Sequence, residues 1–324
     1  MPDILISEAI QGPAVDALCS RFDVLYEPAL WESPGALAEA VHACRALIVR
    51  NQTPVTAPLI SAGQELLVVG RAGVGLDNVD VKAADEAGIV IAFTPDQNAI
   101  SVAELAIGMM LSLARFIPAA DCDTKSGHWN RHKFMGAEVY GKSFGIVGAG
   151  KIGYLTARRA RAFGMNILAC DPFLSPDNTL LCELQAELVE LDELLARADV
   201  VSCHLPSTPL TAGMFDAARF RAMKSGALFI NTARGNVVSE PALLEALRSG
   251  KLGGAALDVR SKEPPHAGEL ETLPNLILTP HIGAFTHEAQ DRVATAICRD
   301  VARVLDGMPA MNAVHRAVPA RRLA

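Results

Sequence analysis

Runs of Val, Ile and Leu recur from one end of the chain to the other, each closed by a turn and followed by an amphipathic stretch. A continuous apolar run suits a strand buried on both faces, and the amphipathic stretch suits a helix that covers it. In the first third the predicted strands are "DILIS", "DVLYE", "ALIVR", "LLVVG" and "IVIAF", with helices between them, one around "GALAEAVHAC". A second series starts at "KSFGIVGAG" and continues through "MNILACD", "DVVSCHL", "ALFINTA", "AALDV" and "LILTPH" to a long final helix, "THEAQDRVATAICRDVARVLDG". This βαβ rhythm predicts an α/β protein with two doubly wound parallel-sheet domains and a ligand cleft between them.

Between the two series lies "SVAELAIGMMLSLARFI", with Ser101 predicted as the N-cap and Glu104 completing a capping box. Interrupted by Glu104 and Arg115, it falls short of the ~20 clean residues of a spanning helix and reads as a core helix. The tail "VPARRLA" is expected to be loosely held.

Composition narrows the functional classes. A chain of 324 residues calls for two domains of roughly 100 to 200 residues. Hydrophobic residues make up 50%, charged residues 20%, and mean hydropathy is +0.25, as in a soluble globular protein. "MPDILISEAI" has no basic segment of a secretory signal, so the cytoplasm is the expected location. The 7 cysteines form no CxxC pair, which speaks against a disulfide framework or a zinc site; buried thiols are expected, and no metal. A net charge of -7 speaks against nucleic acid or an anionic membrane as partner. An anionic small molecule would need a locally positive pocket.

Candidate chemistry starts at "GIVGAGKIG", where Gly148, Gly150 and Gly153 follow a predicted strand and open a helix through Lys151 and Ile152. Such a loop turns tightly, lets the backbone approach a pyrophosphate, and points a helix N-terminus at the negative charge. The next strand ends in Asp171, 18 residues beyond Gly153 and close to the ~20 expected of a ribose-binding acid. An acid there favours NAD over NADP; a nucleotide-free turn is the weaker alternative. "RAGVGLDNVD", opening at Arg71, offers the N–H groups of Gly73, Val74 and Gly75 to an anion, with a plain glycine turn nearly as good an account.

Three later strands end in capable side chains: Arg234 in "FINTARG", Asp258 and Glu263 in "AALDVRSKEPP", and His281 in "LILTPHIGA". In a parallel sheet these ends share one edge. Arg234 can hold a carboxylate and polarise the neighbouring carbonyl, His281 can exchange the proton of a hydroxyl, and Glu263 can fix the imidazole and stabilise its cation. Taken singly, each has a bland reading as a solvated or structural residue; jointly they point to a site. His204 suits a lining role, and His42, His128, His132, His266, His287 and His315 suit surface or packing roles.

The ordered set "VRNQT", "GRAGVGLDNVD", "TPDQNAISVAEL", "GIVGAGKIG", "CDP", "CHLPST", "NTARG", "ALDV", "KEPP" and "TPHIGA" resembles the D-isomer-specific 2-hydroxyacid dehydrogenases, phosphoglycerate dehydrogenase-like branch, in a short form without the C-terminal regulatory domain. The resemblance covers nearly the whole chain. It implies a Rossmann nucleotide-binding domain, 99–287, inserted into a flavodoxin-like substrate domain, 1–98 with 288–324. It implies Arg234, Glu263 and His281 as the catalytic triad. NAD would lie near Val74, Ser101, Gly148 to Gly153, Asp171, Leu205, Thr232, Asp258, His281 and Ala284. The substrate carboxylate would meet Arg234 and the backbone around Val74 and Gly75.

Arg50 and Arg71 are the candidates for the rest of the substrate, with Arg50 equally readable as a surface charge. Relatives usually carry an aromatic residue after "ALDV", where this chain has Arg260, and some carry a basic residue at the place of Gln52. Arg260 or Lys262 would add charge near the cleft or stand at the surface. Phosphoglycerate, hydroxypyruvate, glyoxylate and sulfolactate stay open as substrates; Glu263 in place of glutamine speaks against formate. The resemblance further implies a homodimer through the nucleotide domain, using the helix after Ser101 and the segment around Trp129. An NAD(H)-sensing corepressor-like protein is the alternative from another class.

Overall fold

The computed structural model describes residues 2–320, and in it the apolar runs form two separate sheets in two units, residues 1–98 with 286–324 and residues 99–285. In the first unit β1 (Ile4–Ile6), β2 (Val24–Tyr26), β3 (Ala46–Val49), β4 (Val68–Arg71) and β5 (Val90–Phe93) are parallel and lie in the order 2-1-3-4-5. That is the doubly wound order of flavodoxin. A short antiparallel strand, Ala313–Val314, returns to pair with β5.

Both faces of this sheet are covered. On one, Leu5, Leu47, Val49, Val69 and Ile91 pack in a core with Leu37, Leu59, Ile60 and Ala84 from three helices. On the other, Val293, Ile297 and Val301 of the helix His287–Leu305 share a core with Ile4, Ile48 and Val68. Thr286 caps that helix, its Oγ1 accepting the Ala289 N–H at 3.1 Å. Buried Asp300 on the same helix accepts the backbone N–H of Asn312 at 3.0 Å, which ties the helix to the returning strand.

The second unit contains β6 (Ser143–Val147), β7 (Asn166–Cys170), β8 (Glu187–Leu188), β9 (Val200–Cys203), β10 (Ala227–Asn231), β11 (Leu252–Leu257) and β12 (Leu276–Leu278). All are parallel, in the order β8-β7-β6-β9-β10-β11-β12, so the winding reverses between β6 and β9. This is the Rossmann order with one strand added, and ligands bind beyond the carboxyl ends of the strands at such a reversal. One face packs Phe144, Ile146, Ile230 and Ala256 with the helices Ala99–Ala114 and Lys151–Ala162. The other is built around Phe215, Phe220 and Phe229, with ring centroids 4.8 to 6.2 Å apart.

Some local expectations fail. The first helix of the second unit starts at Ala99, three residues early, so Ser101 lies buried inside its first turn and is no N-cap. Glu104 reaches out to Arg159 at 2.9 Å instead of closing a capping box. Cys44, Cys203 and Cys298 are buried, but Cys19, Cys122 and Cys182 are exposed, because each sits on a short helix at the surface. Among the described residues no single helix is long and apolar enough to cross a membrane. Of the tail "VPARRLA", residues 321–324 lie outside the described part.

Candidate active site

At the reversal, β6 runs into Gly148, whose φ of 90° belongs to the left-handed region that glycine tolerates. The helix Lys151–Ala162 starts directly after Gly150. A Cβ on Gly153 would lie 2.1 Å from the Gly148 carbonyl oxygen, so only glycine lets the helix seat this close to the loop. A Cβ on Gly150 would meet no protein atom within 4 Å, which leaves the backbone there open to a ligand. Lys151 and Ile152 form the first turn behind it.

Asp171 follows β7, and its two carboxylate oxygens accept the N–H groups of Ala149 at 2.9 Å and Phe173 at 3.0 Å. The acid is thereby tied to the glycine loop, and an ionised carboxylate with about four acceptor positions still has capacity for ribose hydroxyls. Across the reversal, β9 is followed by His204 and Leu205. Burial pushes the His204 imidazole down to about 4, so it is neutral at pH 7. Its Nε2 meets Ser202 Oγ at 2.9 Å, while its Nδ1 is buried with no protein partner, as is Oγ1 of Thr232 beyond β10. A helix N-terminus, a tethered acid and buried polar atoms without protein partners together fit a dinucleotide.

The next three strand ends carry the reactive groups. β10 closes on fully buried Asn231, whose Oδ1 accepts the Ala233 N–H at 3.0 Å and whose Nδ2 donates to the Arg234 carbonyl at 2.9 Å. This Asx turn sets the backbone from which Arg234 projects. β11 closes on Asp258, 1% exposed, whose carboxylate accepts Thr279 Oγ1 at 2.6 Å and the N–H groups of Ile282 and Gly283, both at 2.8 Å. Its carbonyl accepts the His281 N–H at 2.8 Å. Those bonds hold His281 at φ 54°, a conformation uncommon for a residue with a side chain.

His281 Nδ1 lies 2.7 Å from Glu263 Oε2. An ionised carboxylate only accepts, so Nδ1 carries the hydrogen and Nε2 is left to exchange a proton with a ligand. Partial burial by itself would raise the Glu263 carboxyl. The hydrogen bonds from His281 and the Arg260 N–H, with the charges of His281 and Arg234, outweigh it and hold the carboxyl below its ordinary range. Arg234 and His281 therefore both act electrostatically on Glu263, all within the second unit.

Thr232, Asp258 and Ala284 belong to the same strand-end turns, and Ser101 lies on the helix Ala99–Ala114 of that unit. Arg50, Arg71, Gly73, Val74 and Gly75 belong to the first unit, where Val49 of β3 and Arg71 of β4 stand side by side in register. Arg50 is no loose surface charge. Burial lowers its guanidinium, Glu8 partly offsetting this, and its Nη1 donates to the Ala9 carbonyl at 3.2 Å.

Several residues escaped the sequence reading. Buried Glu8 accepts the N–H groups of Arg50, Gln52 and Thr53 at 2.8 to 3.0 Å and so shapes the "VRNQT" turn. Asn231 carried a usable signal, a turn-forming residue directly after an apolar run; Glu8 and Thr279 carried none. Arg260 is a correction: its guanidinium is taken up by Glu240 and Glu271 and is not free to add charge to a ligand.

Comparison with known proteins gives the following. Residues 107–283 match the family model described as D-isomer specific 2-hydroxyacid dehydrogenase, NAD binding domain. The chain is 42% identical over 313 residues to D-3-phosphoglycerate dehydrogenase of Archaeoglobus fulgidus, covering 96% of this chain and 59% of that protein. It thus spans less than two thirds of that relative's length. Among solved structures it is similar to the holo form of Rhodotorula graminis D-mandelate dehydrogenase, with a TM-score of 0.90, 30% identity and coverage of 98% and 99% of the two chains. It is also similar to a glyoxylate reductase from Paecilomyes thermophila, with a TM-score of 0.86, 31% identity and coverage of 96% and 98%.

Proposed function

The chain belongs to the D-isomer specific 2-hydroxyacid dehydrogenase family, and from that premise we propose that it moves a hydride reversibly between NAD(H) and a small 2-hydroxy or 2-oxo acid. The observation that carries this reading is the His281–Glu263 pair at 2.7 Å, set at strand ends of the nucleotide-binding sheet with Arg234 close enough to act on Glu263. NAD is the cofactor that the family model indicates, and the glycine loop with Asp171 is the proposed place for it.

In the oxidising direction Arg234 holds the substrate carboxylate through its planar fork and steadies the developing carbonyl. His281 Nε2 takes the hydroxyl proton, and Glu263 keeps Nδ1–H oriented and balances the imidazolium charge. Bound NAD supplies the acceptor for the hydride that leaves the hydroxyl-bearing carbon. In reduction the same groups act in reverse, with His281 as the acid.

Of the possible acids, 3-phosphoglycerate is the first to test. It is supported by the name of the Archaeoglobus relative. The assay is NADH oxidation with a panel of 2-oxo acids, hydroxypyruvate, glyoxylate and sulfopyruvate included, and NAD reduction with the matching hydroxy acids. Turnover of none of them together with tight NADH binding would favour the nucleotide-sensing alternative.

Two expected results bear on cofactor and assembly. Asp171→Ala removes the ribose acceptor and the like charge that a 2'-phosphate would meet, so the preference for NADH over NADPH falls about 10-fold or more. The ratio of the two kcat/KM values measures this, and an unaltered ratio removes Asp171 from that role. The proposed dimer surface is supported by Ile117, Trp129, Met135 and Tyr140, exposed by 52%, 86%, 79% and 78% within one segment of the second unit. Trp129→Ser should shift sedimentation equilibrium from dimer toward monomer; a protein that is monomeric before the substitution refutes the assembly. The cytoplasm remains the location proposed for such chemistry.

A further inference from the structure

From the end of β11 to the 3-10 turn Leu270–Thr272 the chain has no regular secondary structure, yet this stretch delivers Glu263 to His281. Side chains must therefore fix it. The largest clamp is Arg260, whose side chain is 11% exposed. Its Nε and Nη2 donate to the two oxygens of Glu240 at 3.2 and 3.0 Å, a bidentate fork, and its Nη1 donates to Glu271 Oε1 at 2.5 Å.

Both acids are themselves anchored. Glu240 opens the helix Glu240–Arg248, where the helix dipole favours a carboxylate, and its Oε1 also accepts the Ser261 N–H at 2.8 Å. Glu271 Oε2 accepts the Gly268 N–H at 2.8 Å. Arg260 thus joins the start of one helix to both flanks of the irregular stretch.

The backbone of the same residue touches the reactive groups on two sides. Its N–H donates to Glu263 Oε1 at 2.9 Å, the oxygen not used by His281. On the other side, a Cβ on Gly235, the residue after Arg234, would fall 1.9 Å from the Arg260 carbonyl carbon. Gly235 therefore lets the Arg234 turn lie directly against the Arg260 peptide.

We infer that Arg260 is a positioning residue: clamped by Glu240 and Glu271, it holds its own peptide where that peptide orients Glu263 toward His281 and abuts the turn of Arg234. It fills the place where the resemblance leads one to expect an aromatic ring, and an ionic clamp does there what packing alone would have to do. The groups facing Glu263 are His281, Arg234 and the Arg260 N–H; those facing the Arg260 guanidinium are Glu240 and Glu271. The inference rests on the proposed roles of Glu263 and His281, and its test separates the two.

Arg260→Met keeps a long unbranched side chain and removes the fork. The Glu263 carboxyl is followed by carbon-13 NMR titration, assigned through Glu263→Gln, alongside kcat, KM and the melting temperature. In Arg260→Met the Glu263 carboxyl should titrate closer to its ordinary value, and kcat should fall about 10-fold at nearly constant KM, as expected for a misplaced orienting group. Arg260→Lys, a charge without the fork, should recover part of both. If Arg260→Met does not fold with Glu240 and Glu271 unpaired, Arg260→Met/Glu240→Gln takes its place.

An unmoved Glu263 titration overturns the inference, as does full kcat in a protein whose Glu263 has lost the bond; a lower melting temperature alone would leave only a structural role. The titration needs no turnover. Failure to reduce any 2-oxo acid would sink the proposed reaction while the placement of Glu263 by Arg260 was still being tested.

Discussion

Replacing His281 by alanine should lower kcat for a 2-oxo acid by about 10²- to 10⁴-fold, the range that a positioned acid or base contributes. NADH should still bind, because the glycine loop and Asp171 belong to other strand ends. Two features make the loss this large. Among the residues gathered at β10 to β12, His281 is the one with a ring nitrogen, Nε2, that can both take and give a proton, since a guanidinium only donates and the Glu263 carboxyl is held below its ordinary range. The ring is also aimed in advance, by Glu263 on Nδ1 and by the Asp258 carbonyl on the main-chain N–H. Steady-state kinetics with a separate fluorescence titration of NADH checks both halves; a variant that keeps wild-type turnover removes His281 from the mechanism.

The second large effect is expected at Arg234. Arg234→Gln should reduce kcat/KM by about 10²- to 10³-fold, comparable with loss of one strong donor to a developing oxyanion. Arg234→Lys should recover little, because a point charge cannot reproduce a planar two-pronged contact. The effect should divide between KM, as the carboxylate grip is lost, and kcat, as the carbonyl loses polarisation. Measuring the two constants separately decides this: a rise in KM alone assigns Arg234 to binding and takes it out of the chemical step. The Asn231 turn should survive either change, since Asn231 bonds to the Arg234 carbonyl and not to its side chain.

Much of this architecture could be read from the residues because its signals are long and redundant. Apolar runs marked β1, β3, β4, β6 and β9, all buried in the structure except Arg71 at the end of β4 and Ser143 at the start of β6. Arg234, Glu263 and His281 were each unremarkable alone; the rule that parallel strands end on one edge is what grouped them. What stayed hidden depends on tertiary approach. β8 and the Ala313–Val314 strand have two residues each, too few to show a period. The helix starts at Ala99 after Asn98, itself a residue type suited to an N-cap, and the Ser101 pattern with Glu104 drew attention three residues late. Arg260 read as spare charge because Glu240 and Glu271 lie 20 and 11 residues away in the chain, and nothing in the spacing announces that they will meet it.

The returning strand Ala313–Val314 and the helix His287–Leu305 also bear on how the chain matures during synthesis. The first sheet cannot be fully covered on its second face until residues 287–305 have left the ribosome, because Ile297 and Val301 complete the core that Val15 and Leu18 only begin. Every partner of the second sheet, by contrast, is available once residue 285 has emerged. The long wait costs little, since loop-closure entropy grows only with the logarithm of length, about 0.6 kcal/mol per doubling. The nucleotide-binding unit is thus free to mature first, while the first unit, half-assembled and apolar on one side, is the part of the nascent protein that chaperones would have most reason to hold.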